Sequence, residues 1–176
     1  FPTRRSSDLP RQFTIMNFFS RRILALILTG SLLGGTWNGL ADQRDIRGPV
    51  GSQYFGEFLK TLPNGNVVVV DQLFTEPGGP SQVGAVYLYS STGTLISRLT
   101  GGKASDRVGS GGITVLANGN FVIVSYRWDN PLVPNAGVNN AGVDAGAVTW
   151  GNMESGVSGV VSASNSLVGT TYNDQV

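Results

Sequence analysis

Leu116-Ala117-Asn118-Gly119-Asn120-Phe121-Val122-Ile123-Val124 decides how this chain is read. An earlier stretch, Leu62-Pro63-Asn64-Gly65-Asn66-Val67-Val68-Val69-Val70, has the same plan. In each, a strand ends at Leu, an Asn-Gly turn follows, and a β-branched run departs. Asn-Gly between apolar runs is a strong hairpin signal, because both central residues of a type I′ turn need φ > 0. Asn64-Gly65 and Asn118-Gly119 are therefore the expected structural turns. They lie 54 residues apart, which predicts an internal repeat rather than an isolated hairpin.

Around each turn the same order of segments recurs. In the first unit the expected strands are Phe58–Leu62, Val67–Asp71, Gly84–Tyr89 and Thr94–Leu99, closed by Gly101. In the second they are Ile113–Leu116, Phe121–Tyr126, Gly146–Trp150 and a fourth running from Gly159–Ser162 to Leu167-Val168, closed by Gly169. The offset between equivalents grows from 54 at the turns to 62 at Gly84/Gly146, and to 68 at Gly101/Gly169 and Asp106/Asp174. It grows within connections and holds within strands, as expected where lengthening a loop costs little. The reading is all-β, with antiparallel four-stranded units resembling about two β-propeller blades. A sandwich or other meander and a β-solenoid are the competing architectures.

The N-terminal part reads differently. Phe1–Leu9 resembles the translation of a sequencing adapter, and 1–15 is set aside as carrying no evolved fold. From Met16, Arg21-Arg22, the apolar run from Ile23 to Gly35 and Gly39-Leu40-Ala41 have the layout of a helical signal peptide cleaved after Ala41. The apolar run is too short for a spanning helix. These features predict a secreted or cell-surface protein touching the membrane only through its signal. Residues 42–53 read as a linker, 54–112 as the first unit and 113–176 as the second. The chain ends within the motif that Asp106-Arg107-Val108-Gly109-Ser110 completes in the first unit, so it reads as a fragment, with further repeats of the same chain as partners of the two units.

The net charge of +1 over the whole chain hides a contrast. After Ala41, seven basic residues face ten acidic ones, a net charge of −3. The remaining charges are scattered, so no nucleic-acid surface is expected. The chain has no Cys and no His. That removes disulfides, thiol catalysis, imidazole or thiolate metal sites and Ser-His-Asp triads. The serines from Ser155 to Ser166 have no nearby base and read as an exposed strand face. Glu57, Glu76 and Glu154 lie on separate segments, without the pairing that glycoside hydrolysis requires. No catalytic residue and no cofactor is expected.

Among aromatic residues, Tyr126, Trp128 and Trp150 are the candidate surface rings for stacking on carbohydrate, together with Tyr87 and Tyr89. The competing reading places these rings in the core between units. The loop Pro131–Val143, with Asn135, Asn139 and Asn140, is a candidate recognition loop, against a plain solvated insertion.

Several segments resemble tandem repeats of large secreted bacterial proteins of the filamentous-haemagglutinin or autotransporter-adhesin type. These are Leu116–Val122, Trp128-Asp129-Asn130, Asp144–Gly151 and Ser155–Ser162. Gly84–Tyr89 and Asp106–Ser110 also resemble FG-GAP-type propeller repeats. The resemblance spans about residues 54–176 and implies an adhesin-like or scaffold role, with surface carbohydrate or protein as partner. FG-GAP repeats often carry a calcium loop of alternating acidic residues. Here Asp71, Asp129 and Asp144 stand alone, so no metal site is expected. Asp106 and Asp174 read instead as turn caps. An enzymatic alternative is the opening blades of a secreted propeller enzyme, of polysaccharide-lyase or quinoprotein type, with its active site in further sequence.

Overall fold

The computed structural model describes residues 12–15, 44–133 and 143–176. The expected signal peptide, the adapter-like segment and the middle of the Pro131–Val143 loop lie outside the described residues. No helix occurs among the described residues.

The described residues form eleven strands. β1 (Gln12–Ile15) and β2 (Arg44–Arg47) make a two-stranded antiparallel pair. β1 falls in the stretch expected to carry no fold, and β2 in the stretch expected to be a linker. The first unit is an antiparallel meander of β3 (Phe58–Thr61), β4 (Val67–Asp71), β5 (Ala85–Tyr89) and β6 (Leu95–Thr100). The second repeats it with β7 (Gly112–Val115), β8 (Phe121–Ser125), β9 (Ala147–Gly151) and β11 (Ser166–Val168). Both meanders follow from β-branched runs bounded by Gly- and Asn-bearing turns, with longer loops between the second and third strands.

The second unit departs from expectation at its fourth strand. Gly159–Ser162 and Leu167-Val168 do not form one element. β10 (Gly159–Val160) leaves its own unit and joins the first sheet, parallel to β6, through Gly159↔Leu99 and Val160↔Thr100. The serine-rich run is accordingly a strap and a turn rather than one strand. Asn152–Gly156 closes a small bridge, and the Asn165 carboxamide accepts from Ser162 N–H. The strap reaches the first unit because Val161 is buried in the shared core while Val157 packs against it.

The two sheets pack face to face. Val68, Val70, Val86, Leu88 and Leu99 from the first meet Phe121, Ile123 and Ala147 from the second, in one buried cluster. The opposite face of the first sheet is also covered. Val67, Val69, Ala85, Tyr87 and Tyr89 lie under Ile46, Phe55 and Phe74. Phe55 meets the Tyr87 ring edge-on at 5.7 Å and the Tyr89 ring at 6.1 Å. Ile46 from the segment expected to be a linker, with Phe55 just after it, therefore forms a cap, because leaving those tyrosine rings in water would forgo about 1.5–3 kcal/mol per large side chain. β4, buried at every position, reads as an unbroken Val run for this reason.

The repeat extends to individual backbone angles. Six non-glycine residues among those described have positive φ, and they fall into three equivalent pairs: Gln82 and Asp144 (53° and 49°), Ser105 and Asn173 (70° and 60°), Arg107 and Gln175 (45° and 52°). Their offsets are those read from the sequence. A left-handed conformation costs a non-glycine residue about 1–2 kcal/mol, so its recurrence at equivalent positions marks a requirement of the unit. Hydrogen bonds recur too. Gly84 N–H donates to Phe74 O and Gly146 N–H to Trp128 O, while Val108 N–H donates to Val83 O and Val176 N–H to Ala145 O.

Candidate functional site

The two Asn-Gly turns form at the expected places but not as type I′. Gly65 and Gly119 both have φ of 85°, whereas Asn64 and Asn118 keep negative φ. Gly65 N–H donates to Leu62 O at 2.9 Å, and Leu62 N–H to Asn66 O at 2.8 Å. Leu116, Gly119 and Asn120 repeat both bonds. This is a type I turn followed by a left-handed glycine, the usual three-residue hairpin. Pro63 explains the choice in the first unit. Its ring holds φ near −65°, which suits the second position of a type I turn. The asparagines serve through their side chains, since Asn64 Oδ1 accepts from Asn66 N–H and Asn118 Oδ1 from Asn120 N–H, each at 3.1 Å.

The structure brings the two turns together around one residue. Met153, on the strap of the second unit, lies between them. Its carbonyl accepts from Asn64 Nδ2 at 3.0 Å and from Asn66 Nδ2 at 2.9 Å. Its N–H donates to Asn120 Oδ1 at 3.0 Å. Met153 gave no sequence signal, because its role rests on a contact 87 residues away from Asn66.

The carboxylates are used as backbone caps. Asp106 Oδ2 accepts from Gly102 and Lys103 N–H, both at 2.8 Å. Asp174 Oδ2 accepts from Thr170 and Thr171 N–H at the same distance. These are the expected turn caps. Asp71 accepts from Gln53 and Tyr54 N–H at 3.0 Å and so ties the cap segment to β4. Asp129 Oδ1 accepts from Asp144 N–H at 2.9 Å.

Burial separates Asp106 from its equivalent. Asp106 Oδ1 also accepts from Asp129 N–H of the second unit, and the residue is 1% exposed. Burial pushes its pKa up, against the three amide bonds that favour the carboxylate. Asp174 is exposed, and the Thr171 hydroxyl, with the Thr170 and Thr171 amides, holds its pKa down. Asp71 is raised, again chiefly by burial. Tyr89 is pushed up to about 12 by burial alone.

The candidate surface aromatics do not form one surface. Trp128 is buried at 2% exposure, which corrects its place among them. It is the equivalent of Phe74. After β4 and β8 alike, a turn folds the aromatic back over its own sheet, with Phe74 N–H on Asp71 O and Trp128 N–H on Ser125 O. Tyr87 and Tyr89 are buried as well. Trp150 is 51% exposed, and Tyr126 is half-buried with the Arg127 guanidinium 5.9 Å from its ring centroid. In the Pro131–Val143 loop, the three asparagines lie outside the described residues. Nearby, Asn130 is buried and donates to Gly169 O at 2.7 Å.

A cleft of about 400 Å³ opens where β3 runs beside β7, lined by Glu57, Phe58, Lys60, Gly111 and Ile113. Its charged groups are one carboxylate and one ammonium, and Glu57 already accepts from Gln72 Nε2 at 2.6 Å. Among the described residues there is no group of three or more potential metal-ligating side chains.

Duplicated four-stranded meanders with their polar side chains turned to capping define an all-β repeat protein. Residues 115–176, nearly the whole second unit, match a family described as a repeat of unknown function (DUF5650). The first unit lies outside the matched residues but carries the same backbone geometry. Neither a curated protein nor a solved structure matches the chain.

Proposed function

We propose that this chain is a non-enzymatic repeat segment of a secreted or cell-surface bacterial protein, serving as an adhesin-like or scaffold element with propeller-like units. The observation that carries the reading is the use of its carboxylates. Asp71, Asp106, Asp129 and Asp174 each accept backbone N–H bonds that hold a turn or a neighbouring segment. Acid–base chemistry instead needs groups converging on a substrate position. The signal-like residues 16–41 support export. An enzymatic reading would rest on the β3/β7 cleft, where Glu57 and Lys60 are the titratable groups.

Export is tested by expressing the full chain with a C-terminal tag in a bacterial host and fractionating the cells. The expected product lies outside the cytoplasm and starts near Asp42. A full-length product retained in the cytoplasm overturns the secreted reading. Glu57→Gln and Lys60→Met variants that retain export and folding but abolish a hydrolytic or lyase activity on polysaccharide would overturn the non-enzymatic one.

A further inference from the structure

Each sheet has two faces, and the repeat relates them across units. The face of the first sheet built from Val68, Val70, Val86, Leu88 and Leu99 is covered by the second unit, and none of these residues exceeds 3% exposure. The equivalent residues of the second sheet are Val122, Val124, Val148, Trp150 and Leu167. Strand register confirms the equivalence: Val68↔Leu88 and Val70↔Val86 correspond to Val122↔Trp150 and Val124↔Val148. Val86↔Leu99 corresponds to Val148↔Leu167. In the second unit this face is open. Trp150 is 51% and Leu167 73% exposed, and the three valines are half-buried.

We propose that this open face seats a further unit of the same repeat, docked on the second unit as the second docks on the first.

Two independent features at the rim point to that occupant. Asp106 Oδ1 accepts an N–H from Asp129 of the following unit, whereas Asp174 Oδ1 turns to its own Thr171 hydroxyl. A following unit would supply the missing amide. Asn64 and Asn66 donate through Nδ2 to Met153 of the following unit. In the second unit, the Nδ2 groups of Asn118 and Asn120 have no partner among the described residues. An apolar centre with polar groups awaiting backbone partners at its edge matches the surface a unit presents at Phe121, Ile123 and Ala147. A second copy of the chain could not dock head-to-tail, because the corresponding face of its first unit is closed by Ile46 and Phe55. The inference rests on the repeat reading but not on export or on the absence of activity.

The chain has no cysteine, so Leu167→Cys creates a single reporter thiol on this face, on the edge strand β11. Its labelling rate is measured in the full chain and in the full chain with an appended copy of residues 109–176. The appended unit is expected to slow labelling at least about tenfold, since reaching a covered thiol requires local opening. Leu95→Cys, on the first unit and 48% exposed, should label equally in both. Val124→Asp in the extended chain should restore fast labelling at Leu167→Cys. Equal rates at Leu167→Cys in the two chains overturn the proposal, whether the appended unit docks elsewhere or fails to form on this face. Labelling that slows with concentration in the unextended chain assigns the face to a second copy and overturns it too. Cell fractionation can fail while this result stands, and the reverse.

Discussion

Gly119 shows how narrowly one position can be specified. Its φ is 85°, and a Cβ there would meet Met153 Sδ while approaching the Pro63 ring. Gly119→Val should therefore cost about 2–4 kcal/mol through backbone strain and displacement of Met153. Chemical denaturation measures this, and a variant as stable as its parent would contradict the hairpin geometry. Gly78, also left-handed but with nothing within 4 Å of the added carbon, is the control for strain alone.

Equivalent aspartates should titrate on opposite sides of the ordinary value of 3.8, Asp106 above it and Asp174 below it. For Asp106, the unfolded chain loses its proton first as pH rises. Its contribution to stability therefore declines from about pH 4 upward through the folded pKa. For Asp174 the contribution is present above the unfolded value and is lost as pH falls through the folded pKa. Carboxyl NMR titration of the two side chains checks both signs. Coincident midpoints would remove the distinction that burial draws between them.

The strands show how two sheets with one plan accept different side chains. In the first unit, Val67 pairs with Tyr89 across β4 and β5. In the second, Phe121 pairs with Gly151 across β8 and β9. The large ring has moved to the neighbouring strand, and a Cβ on Gly151 would run into it. Gly151→Ala should destabilise by about 1–3 kcal/mol through overpacking. Phe121→Val removes the ring that the added methyl meets, so the double variant should lose less than the sum of the two single losses. Thermal melts of the single and double variants decide the point. Additive losses would show that the site is not a coupled pair. At this scale, the β-branched runs between turn residues, repeated in both units, located the eight main strands to within a residue or two, except the last. Gly159-Val160 carries the same β signal as a strand of its own unit. Only the reach of the preceding strap decides that it pairs with β6 instead.

At the scale of the molecule, the shared core makes the two units interdependent. Ile123 is fully buried against residues of the first sheet. Ile123→Ala should cost about 2–5 kcal/mol. Hydrogen exchange should quicken in β4 and β5 as well as in β8, because the cavity opens on both sheets. Exchange that changes in β8 alone would mean that the units are independently stable. The same logic explains why the stretch before the first unit is ordered. Where neighbouring units bury each other's faces, the outer face of the first sheet needs cover of its own, and Ile46 and Phe55 supply it beside the unit's own Phe74.

Local chemistry determined what the sequence could show alone: hairpins at Asn64-Gly65 and Asn118-Gly119, the offsets of the repeat, and the capping roles of Asp106 and Asp174. Each depends on residues within a few positions of one another, where backbone preference and side-chain reach act directly. The tertiary structure decided the rest. It placed Trp128 in the core, turned residues 44–55 into a cap, sent β10 to the other sheet and set Met153 between the two turns. These outcomes depend on which apolar faces meet, and that is settled by burial between segments far apart in the chain, which a local pattern does not encode.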